Sequence, residues 1–454
     1  MTNEDKNKRV RIIVTVIGAV GIALFSFMCG FLTSRFTRKK PVSTFEWALK
    51  IINEHYYVDV PAEEVTDKSL KGLVGGCLDI YSAYYTADEY AAQKAQNAGN
   101  RSGIGVSYTY VGEKDGYPGG KSGILLTRVV GGSPAEKSGF KTGEFVTGYK
   151  EDGVATVFET RADFNAYIDG KEAGEEFTLV TDRGEHTVAK AEYISSYAVM
   201  STSQTTYSFH YESEDGKKLK RVTDEGEGIS CLPDGAAYLR LDQFYGNAAA
   251  ETAELIGKFN AQKCTSLILD LRGNGGGSVD VMCDISGIFT GQLEKRYNSA
   301  MSARYKDGSV DVFSVKDKFP AQSQLPQGVK VSVLADNGTA SASEALIGVL
   351  VDNGIIDYGD VYVSDFSESY LAFSGTKDKN CRTYGKGIMQ TTFEHPFTHE
   401  ALKLTTAKIY WPKGETCIHG VGVGAEQGCK TVPAAWDAVY GDSPLSNAVA
   451  MIYG

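Results

Sequence analysis

The sequence predicts a multidomain α/β protein, and three observations carry that prediction. In the second half of the chain, short apolar β-branched runs alternate with amphipathic helical stretches, the pattern of α/β crossover units. Ahead of them, residues 101–200 read as short strands broken by glycine turns. Near the N-terminus, residues 12–34 carry no charge at all. The 454 residues are 42% hydrophobic, enough to bury two or three cores. A net charge of −11 speaks against nucleic acid as a partner. The 51 glycines against 11 prolines point to many turns rather than to a disordered chain.

Taken in order, residues 1–11 form a short basic tail. The uncharged stretch 12–34 is long enough, at about 1.5 Å per residue, to span a bilayer core of about 30 Å as one transmembrane helix. The alternative is a cleaved signal peptide, for which the run is long and no A-x-A site is clear. Positive residues flank both ends, so charge alone does not orient the helix. Residues 41–100 read as helical: Phe45, Leu49, Ile52 and Tyr56 fall near helical spacing, and Leu70, Leu73, Val74, Cys77 and Leu78 continue the period. Residues 101–200 open with Gly103-Ile-Gly-Val106. A strand follows at 123–130, then a short helix at 132–139 begun by Ser133-Pro134 and stopped by Gly139. Another strand starts at 141–146. A Gly-x-Gly loop can aim backbone N–H groups at a terminal carboxylate, with the peptide added as a strand; a simple β-turn is the plainer alternative.

Residues 201–454 carry the α/β pattern. A strand at 237–241, a helix at 248–259 and a buried strand at 266–271 lead into Arg272-Gly-Asn-Gly-Gly-Gly277 and a helix at 279–289. A glycine run at a helix start offers N–H donors to an anion. The Gly-Lys-Ser/Thr ending of a phosphate loop is missing. A strand at 329–334 then runs into the small-residue turn Ala335-Asp-Asn-Gly-Thr-Ala-Ser-Ala-Ser-Glu-Ala345. A serine at such a strand-to-helix turn is held out of the sheet beside free N–H groups, a good seat for a nucleophile. No histidine lies in a convincing motif nearby. Lys386, between two glycines and four residues before Gln390, is the candidate base. A strand at 402–410 and a helix over 434–453 complete the chain.

Eight cysteines show no C-x-x-C pair and no zinc spacing. Cys417 and Cys429 either bridge across a hairpin, given an oxidising compartment, or remain buried thiols. His395 and His399 have the spacing of helical zinc ligands, but Pro396 argues against a helix there. No metal and no cofactor is expected.

Thr339-Ala-Ser-Ala-Ser-Glu344, Gly385-Lys-Gly-x-x-Gln390 and Asp270-Leu-Arg-x-Asn-x-Gly-Gly277, in this order, resemble the carboxyl-terminal processing (tail-specific) proteases. These are the Ser/Lys peptidases of family S41. The order of elements over 101–200 resembles a PDZ domain, with Glu144 where that family usually has aspartate. Asp79-Ile-Tyr-Ser-Ala-Tyr resembles the family's Asp-Pro-Tyr-Ser-x-Tyr, with Ile80 for proline. The resemblance implies an α/β protease core at 201–454 behind a PDZ-like β domain. It implies a serine endopeptidase with Ser341 as nucleophile, Lys386 as base and Gln390 as the amide that orients the lysine. Gly276 or Gly277, with Ala342, supplies the oxyanion donors. Asp352 also has a counterpart in the family and is either a supporting residue or a charged helix end. The PDZ-like loop Gly103, Ile104, Gly105, Val106 would read the C-terminal tails of protein or peptide substrates. Relatives work outside the cytoplasm, which implies a membrane-anchored catalytic body on the outer side. A homo-oligomer or an activating partner stays open.

Lys386 follows Ser341 by 45 residues, a wider gap than relatives have. The excess maps to 364–382, a polar insertion that a surface loop can absorb or that hangs over the site as a lid. A lysine with the ordinary pKa of about 10.4 is a poor base at neutral pH. The chemistry therefore predicts an apolar pocket around Lys386, no close carboxylate, and activity that favours mildly alkaline pH. Two rivals remain. One is a catalytically silent scaffold that binds tails. The other is a cell-wall enzyme, whose Ser-x-x-Lys spacing fails here because position 344 is glutamate.

Overall fold

The computed structural model describes residues 15–16, 18, 20–22, 24–26, 40–55, 61–112, 121–141, 143–214, 218–364, 381–432 and 443–454. The expected span at 12–34 lies largely outside them, and the positions described within it are helical. Among the described residues no helix is long and apolar enough to cross a membrane. The chain divides into two units, residues 1–76 and 77–454. The first holds helix α1 (Lys40–His55) and most of α2 (Ala62–Cys77). Helix α2 starts directly after Pro61, as a fixed φ favours, and carries a Glu64–Lys68 pair one turn apart.

In the second unit the helical expectation for 41–100 is interrupted. Ala83–Tyr85 is a three-residue strand, β1, followed by α3 (Ala87–Asn97). Thr86 caps α3 in a reciprocal box with Glu89. Strand β2 (Asn100–Gly103) leads into β3 (Val106–Val111), β4 (Gly123–Val129) and the short α4 (Pro134–Lys137), capped by Ser133. Then come β5 (Phe145–Glu151), β6 (Val154–Val157), α5 (Arg161–Asp169), β7 (Glu176–Thr181) and β8 (Gly184–Ala189). These strands make one sheet in the order β3-β4-β5-β7-β8, with β6 on β5, so β3 is an edge. Its core packs Ile104, Leu126, Phe140, Phe164 and Leu179. Strand β9 (Ala191–Ile194) returns to pair with β2.

Strands β10 (Ala198–Ser201), β11 (Thr205–Glu214), β12 (Lys218–Glu227) and β13 (Ala236–Leu241) begin the larger sheet. Helix α6 (Ala248–Ala261), β14 (Ser266–Asp270) and α7 (Val279–Thr290) follow. The hairpin β15 (Ser299–Tyr305) and β16 (Val310–Ser314) interrupts before β17 (Lys330–Ala335), α8 (Ala342–Asp352) and β18 (Val361–Ser364). The insertion at 364–382 lies outside the described residues over 365–380. Strands β19 (Ile388–Glu394), β20 (Ala401–Tyr410) and β21 (Lys430–Val432) and helix α9 (Ser443–Tyr453) end the chain.

The larger sheet runs β12-β11-β10-β13-β14-β17-β18-β21, parallel from β13 onward. Its side chains alternate between two cores, as the pleat requires. Leu267, Leu269 and Val333 share one core with Ile256 of α6, Ile285 of α7 and Leu346 of α8. Ile268 and Leu334 face the other core, with Leu445 and Val449 of α9. A second sheet, β1-β20-β15-β16 with β19 on β20, stands beside it. The two β-rich parts are tied by an ion pair. Arg128 on β4 reaches Asp242 Oδ2 at 2.8 Å, and Arg240 Nε donates to the other oxygen of that carboxylate at 2.8 Å. Two residues beyond Asp242, Phe244 bridges in parallel to Gly277.

Of the two alternatives for Cys417 and Cys429, the structure shows free thiols and no bridge. Burial pushes the Cys429 thiol up to about 12, so it stays protonated and unreactive.

Candidate active site

Strand β17 is almost wholly buried, and the chain leaves it at Asp336 in a turn sewn to the glycine loop after β14. Asp336 Oδ1 accepts the N–H groups of Gly338 and Gly273, each at 2.9 Å. Thr339 Oγ1 donates to Leu271 O at 2.8 Å. Asn274, fully buried, accepts from Ala340 N and Ser343 Oγ through its carbonyl. The two loops are therefore bonded to each other at several points, and Ser341 sits where they meet. Its backbone takes φ 59°, ψ −114°, a region that residues with a side chain rarely occupy. That turn lifts Ser341 to the N-terminus of α8, as a nucleophile elbow does.

Glu344 has a part that sequence reasoning did not assign. Its carboxylate is fully buried and accepts four bonds. Oε1 takes the Thr383 hydroxyl at 2.6 Å and Gly385 N–H at 2.8 Å. Oε2 takes Ser341 N–H and Lys386 N–H, both at 2.9 Å. One carboxylate thus fixes the backbones of Ser341 and Lys386 together, across the wide gap in sequence. The available signal was its position, third in α8, where an acidic side chain reaches back to the N-cap.

The glycines flanking Lys386 answer to close packing. A Cβ on Gly385, at φ 83°, would come within 3.0 Å of Gly422 N, and one on Gly387 within 2.5 Å of His419 N. The lysine amine is in contact with an aromatic face: Nζ lies 4.5 Å from the centroid of the Tyr81 ring. Burial, helped by the like charge of Lys403, lowers Lys386 to about 8. The expectation of no close carboxylate needs correcting. Asp79 and Glu344 are near enough to favour the ammonium, and burial outweighs them.

Ser341, Ala342, Gly276, Gly277, Lys386 and Gln390 all line one cleft of about 1000 Å³. Of the two candidate glycine donors, Gly276 is not open: its N–H is taken by Asn274 Oδ1 at 2.9 Å. Gly276 is there for closeness, since a Cβ would meet Ala340 O, Ala342 N and Ser341 Cβ within 3 Å. Phe244 exchanges bonds with Gly276 O and Ser278 N, which turns the N–H of Gly277 to the opposite side. Among the described residues, the N–H groups of Gly277 and Ala342 meet no protein acceptor. Gln390 Nε2 donates to Thr405 Oγ1 at 3.0 Å, and its carbonyl is not bonded to Lys386. Nor, among the described residues, does a hydrogen bond join Ser341 Oγ to Lys386 Nζ. Asp352 is not brought to the site. It lies at the far end of α8, about 16 Å of helix from Ser341. There it accepts from Lys413 N at 2.9 Å and pairs with the Lys413 amine.

A second cavity, of about 280 Å³, lies between edge strand β3 and α5. Gly103, Ile104, Gly105 and Val106 line it, facing Phe164 and Ile168. The carbonyls of Ile104 and Gly105 are spent on Ala135 and Val130. Among the described residues, the N–H groups of Ile104 and Gly105 meet no acceptor.

Residues 235–358 match the model of peptidase family S41. A "Probable CtpA-like serine protease" of Staphylococcus haemolyticus (strain JCSC1435) is 28% identical over 411 residues, covering 90% of this chain and 68% of that protein. One of the same description from Staphylococcus aureus (strain COL) is 24% identical over 388 residues, covering 85% and 64%. The chain thus spans about two thirds of the length of these relatives. In fold, it matches a structure from Bacteroides fragilis NCTC 9343 assigned to the S41 proteases. The TM-score is 0.55 at 16% identity, over 89% of this chain and 96% of that one. The matched segment runs from β13 through α8, so the likeness to a peptidase family S41 domain lies on residues 235–358.

Proposed function

We propose that the chain is a serine endopeptidase, anchored at the membrane through residues 12–34, that selects proteins by their C-terminal tails and cleaves them through an acyl-enzyme. The observation that carries this reading is the half-buried Lys386 amine, lowered to about 8, in one cleft with Ser341 and two open N–H groups. Ser341 Oγ attacks the scissile carbonyl while neutral Lys386 takes its proton. The carbonyl oxygen, now negative, is met by the N–H groups of Gly277 and Ala342. Lys386 then gives its proton to the leaving amine, and water releases the acyl group by the same path in reverse. Catalytic hydrogen bonds often close only when substrate is bound, which accounts for the open Ser341–Lys386 pair.

The β3–α5 groove supports tail selection. An extended peptide can pair along edge strand β3, its carboxylate on the N–H groups of Ile104 and Gly105, and its last side chain against Phe164 and Ile168. An apolar terminal residue fits that wall. The same open Ser341–Lys386 pair favours the second reading, a silent scaffold that only binds tails.

The test is digestion of an unfolded protein with an apolar tail by the full chain in detergent, beside Ser341→Ala and Lys386→Ala. Cleavage by the parent alone is expected. Cleavage that survives Lys386→Ala names another base. Tail binding without cleavage by any form selects the scaffold.

A further inference from the structure

Lys403 takes no part in the chemistry above, yet it stands in the same cleft as Ser341 and Lys386. It lies on β20, opposite Thr392 of β19 on one side and Ala83 of β1 on the other. Thr405, two residues on, is opposite Gln390. Side chains of a strand alternate between its faces, so Lys403 shares a face with Gln390 and Thr392, and all three line the cleft. Tyr85 of β1 and Tyr90 of α3, their rings 6.3 Å apart, line it as well.

Three lysines line this cleft, and two of them are accounted for. Lys386 is the proposed base. Lys94 pairs with Glu394 at 3.3 Å and lies over the Tyr90 ring. Lys403 is half-buried, and among the described residues its amine meets no acceptor and no carboxylate. Burial by itself lowers it from the ordinary lysine value. Asp280, the acidic residue among those lining the cleft, is spent on Lys316. A cation held partly out of water without a counter-charge is costly, and the cost falls when an anion comes beside it. Under the proposed activity the cleft admits a peptide, whose anionic group is a carboxylate. A carboxylate beside Lys403 favours the ammonium. The pair is worth more there than on an open surface, because the incoming chain also displaces water.

We propose that Lys403 is a specificity residue of the cleft: its ammonium pairs with a carboxylate of the bound substrate close to the scissile bond, and substrates that carry one there are cleaved in preference. The inference rests on the Ser341/Lys386 reading. Two sources offer that group, an acidic side chain or the free end of a short tail, and the experiment separates them.

The test uses the full chain in detergent and a cleavable peptide. One glutamate is moved through each position flanking the scissile bond, always beside its glutamine twin. A further pair ends in a free carboxylate or in an amide. At one position, or at the free end, the acid should raise kcat/KM about tenfold over its neutral twin. Lys403→Gln should bring that ratio to about one, and Lys403→Arg should keep most of it. The ratio is the readout because Lys403 also acts on Lys386, and a change in the base shifts both twins alike. High salt should shrink the ratio in the parent and leave it unmoved in Lys403→Gln. A preference at one side-chain position names an acidic residue as the recognised group. A preference confined to the free end names the chain terminus; since the β3–α5 groove can also meet a free end, only the part lost in Lys403→Gln counts. Equal rates within every pair overturn the inference, and so does a preference that survives Lys403→Gln. Should that variant melt well below the parent, a parent ratio indifferent to salt overturns it instead. If the parent cleaves nothing, the Ser341/Lys386 reading fails by itself, and calorimetric binding of the same peptides decides the inference. Binding of one acid about tenfold tighter than its twin, lost in Lys403→Gln, supports the pairing; equal binding sinks it.

Discussion

Lys386 and Glu344 hold the site together for opposite reasons, one by giving up charge and one by accepting bonds. With Lys386 lowered to about 8, kcat/KM should rise about tenfold per pH unit below that value and level off above it. A pH profile checks this. Stability has its own signature. The unfolded chain binds the Lys386 proton up to about pH 10.4 and the folded chain only to about 8, so stability rises with pH in that window. Lys386→Met should therefore melt higher than the parent at neutral pH, with the gap closing above about pH 10. Glu344→Gln keeps the volume but puts an NH2 group against two N–H donors. We expect at least a tenfold loss of kcat, since each tenfold is only about 1.4 kcal/mol of misalignment. Ser341 and Lys386 were legible in the sequence because turn chemistry and flanking glycines are local. Glu344 and Tyr81 were not, because their contacts join segments that only the fold brings together. For Asp352 the sequence left two readings open, and the structure favours the charged helix end, because the length of the helix separates it from Ser341.

At the scale of elements, the pattern of the sequence carried far where elements are long. The strands β13, β14 and β17 and the helices α6 and α7 follow the predicted runs closely. Strand β1 was missed because three residues carry no readable period and lie between two helical stretches. Its place is set by pairing with β20, a contact remote in sequence. The groove between β3 and α5 depends on a helix held by one cap. Thr160 and Asp163 bond each other's backbone N–H. Thr160→Ala should cost about 1 kcal/mol in urea unfolding and loosen the wall formed by Phe164 and Ile168. Ile168→Asp leaves the catalytic cleft alone but sets a charge where an apolar tail residue would rest. It should weaken binding of an apolar tail peptide more than tenfold, about 1.4 kcal/mol, as read by calorimetry.

Across the whole molecule, the ion pair from Arg128 to Asp242 is where the groove-bearing sheet grips the protease core. Asp242 lies two residues before Phe244, whose backbone sets the direction of the Gly277 N–H. Arg128→Gln should narrow the rate difference between tailed and tailless substrates, measured as the ratio of their kcat/KM values, while both melt with the core intact. The elbow at Ser341 has a consequence of another kind. Its backbone conformation costs about 1–3 kcal/mol for any residue bearing a side chain and little for glycine. The protein thus gives up part of its folding energy at the residue proposed as its nucleophile. A duplicated copy released from proteolysis would have a ready path to greater firmness: losing that serine to glycine ends the chemistry and relaxes the chain at one stroke.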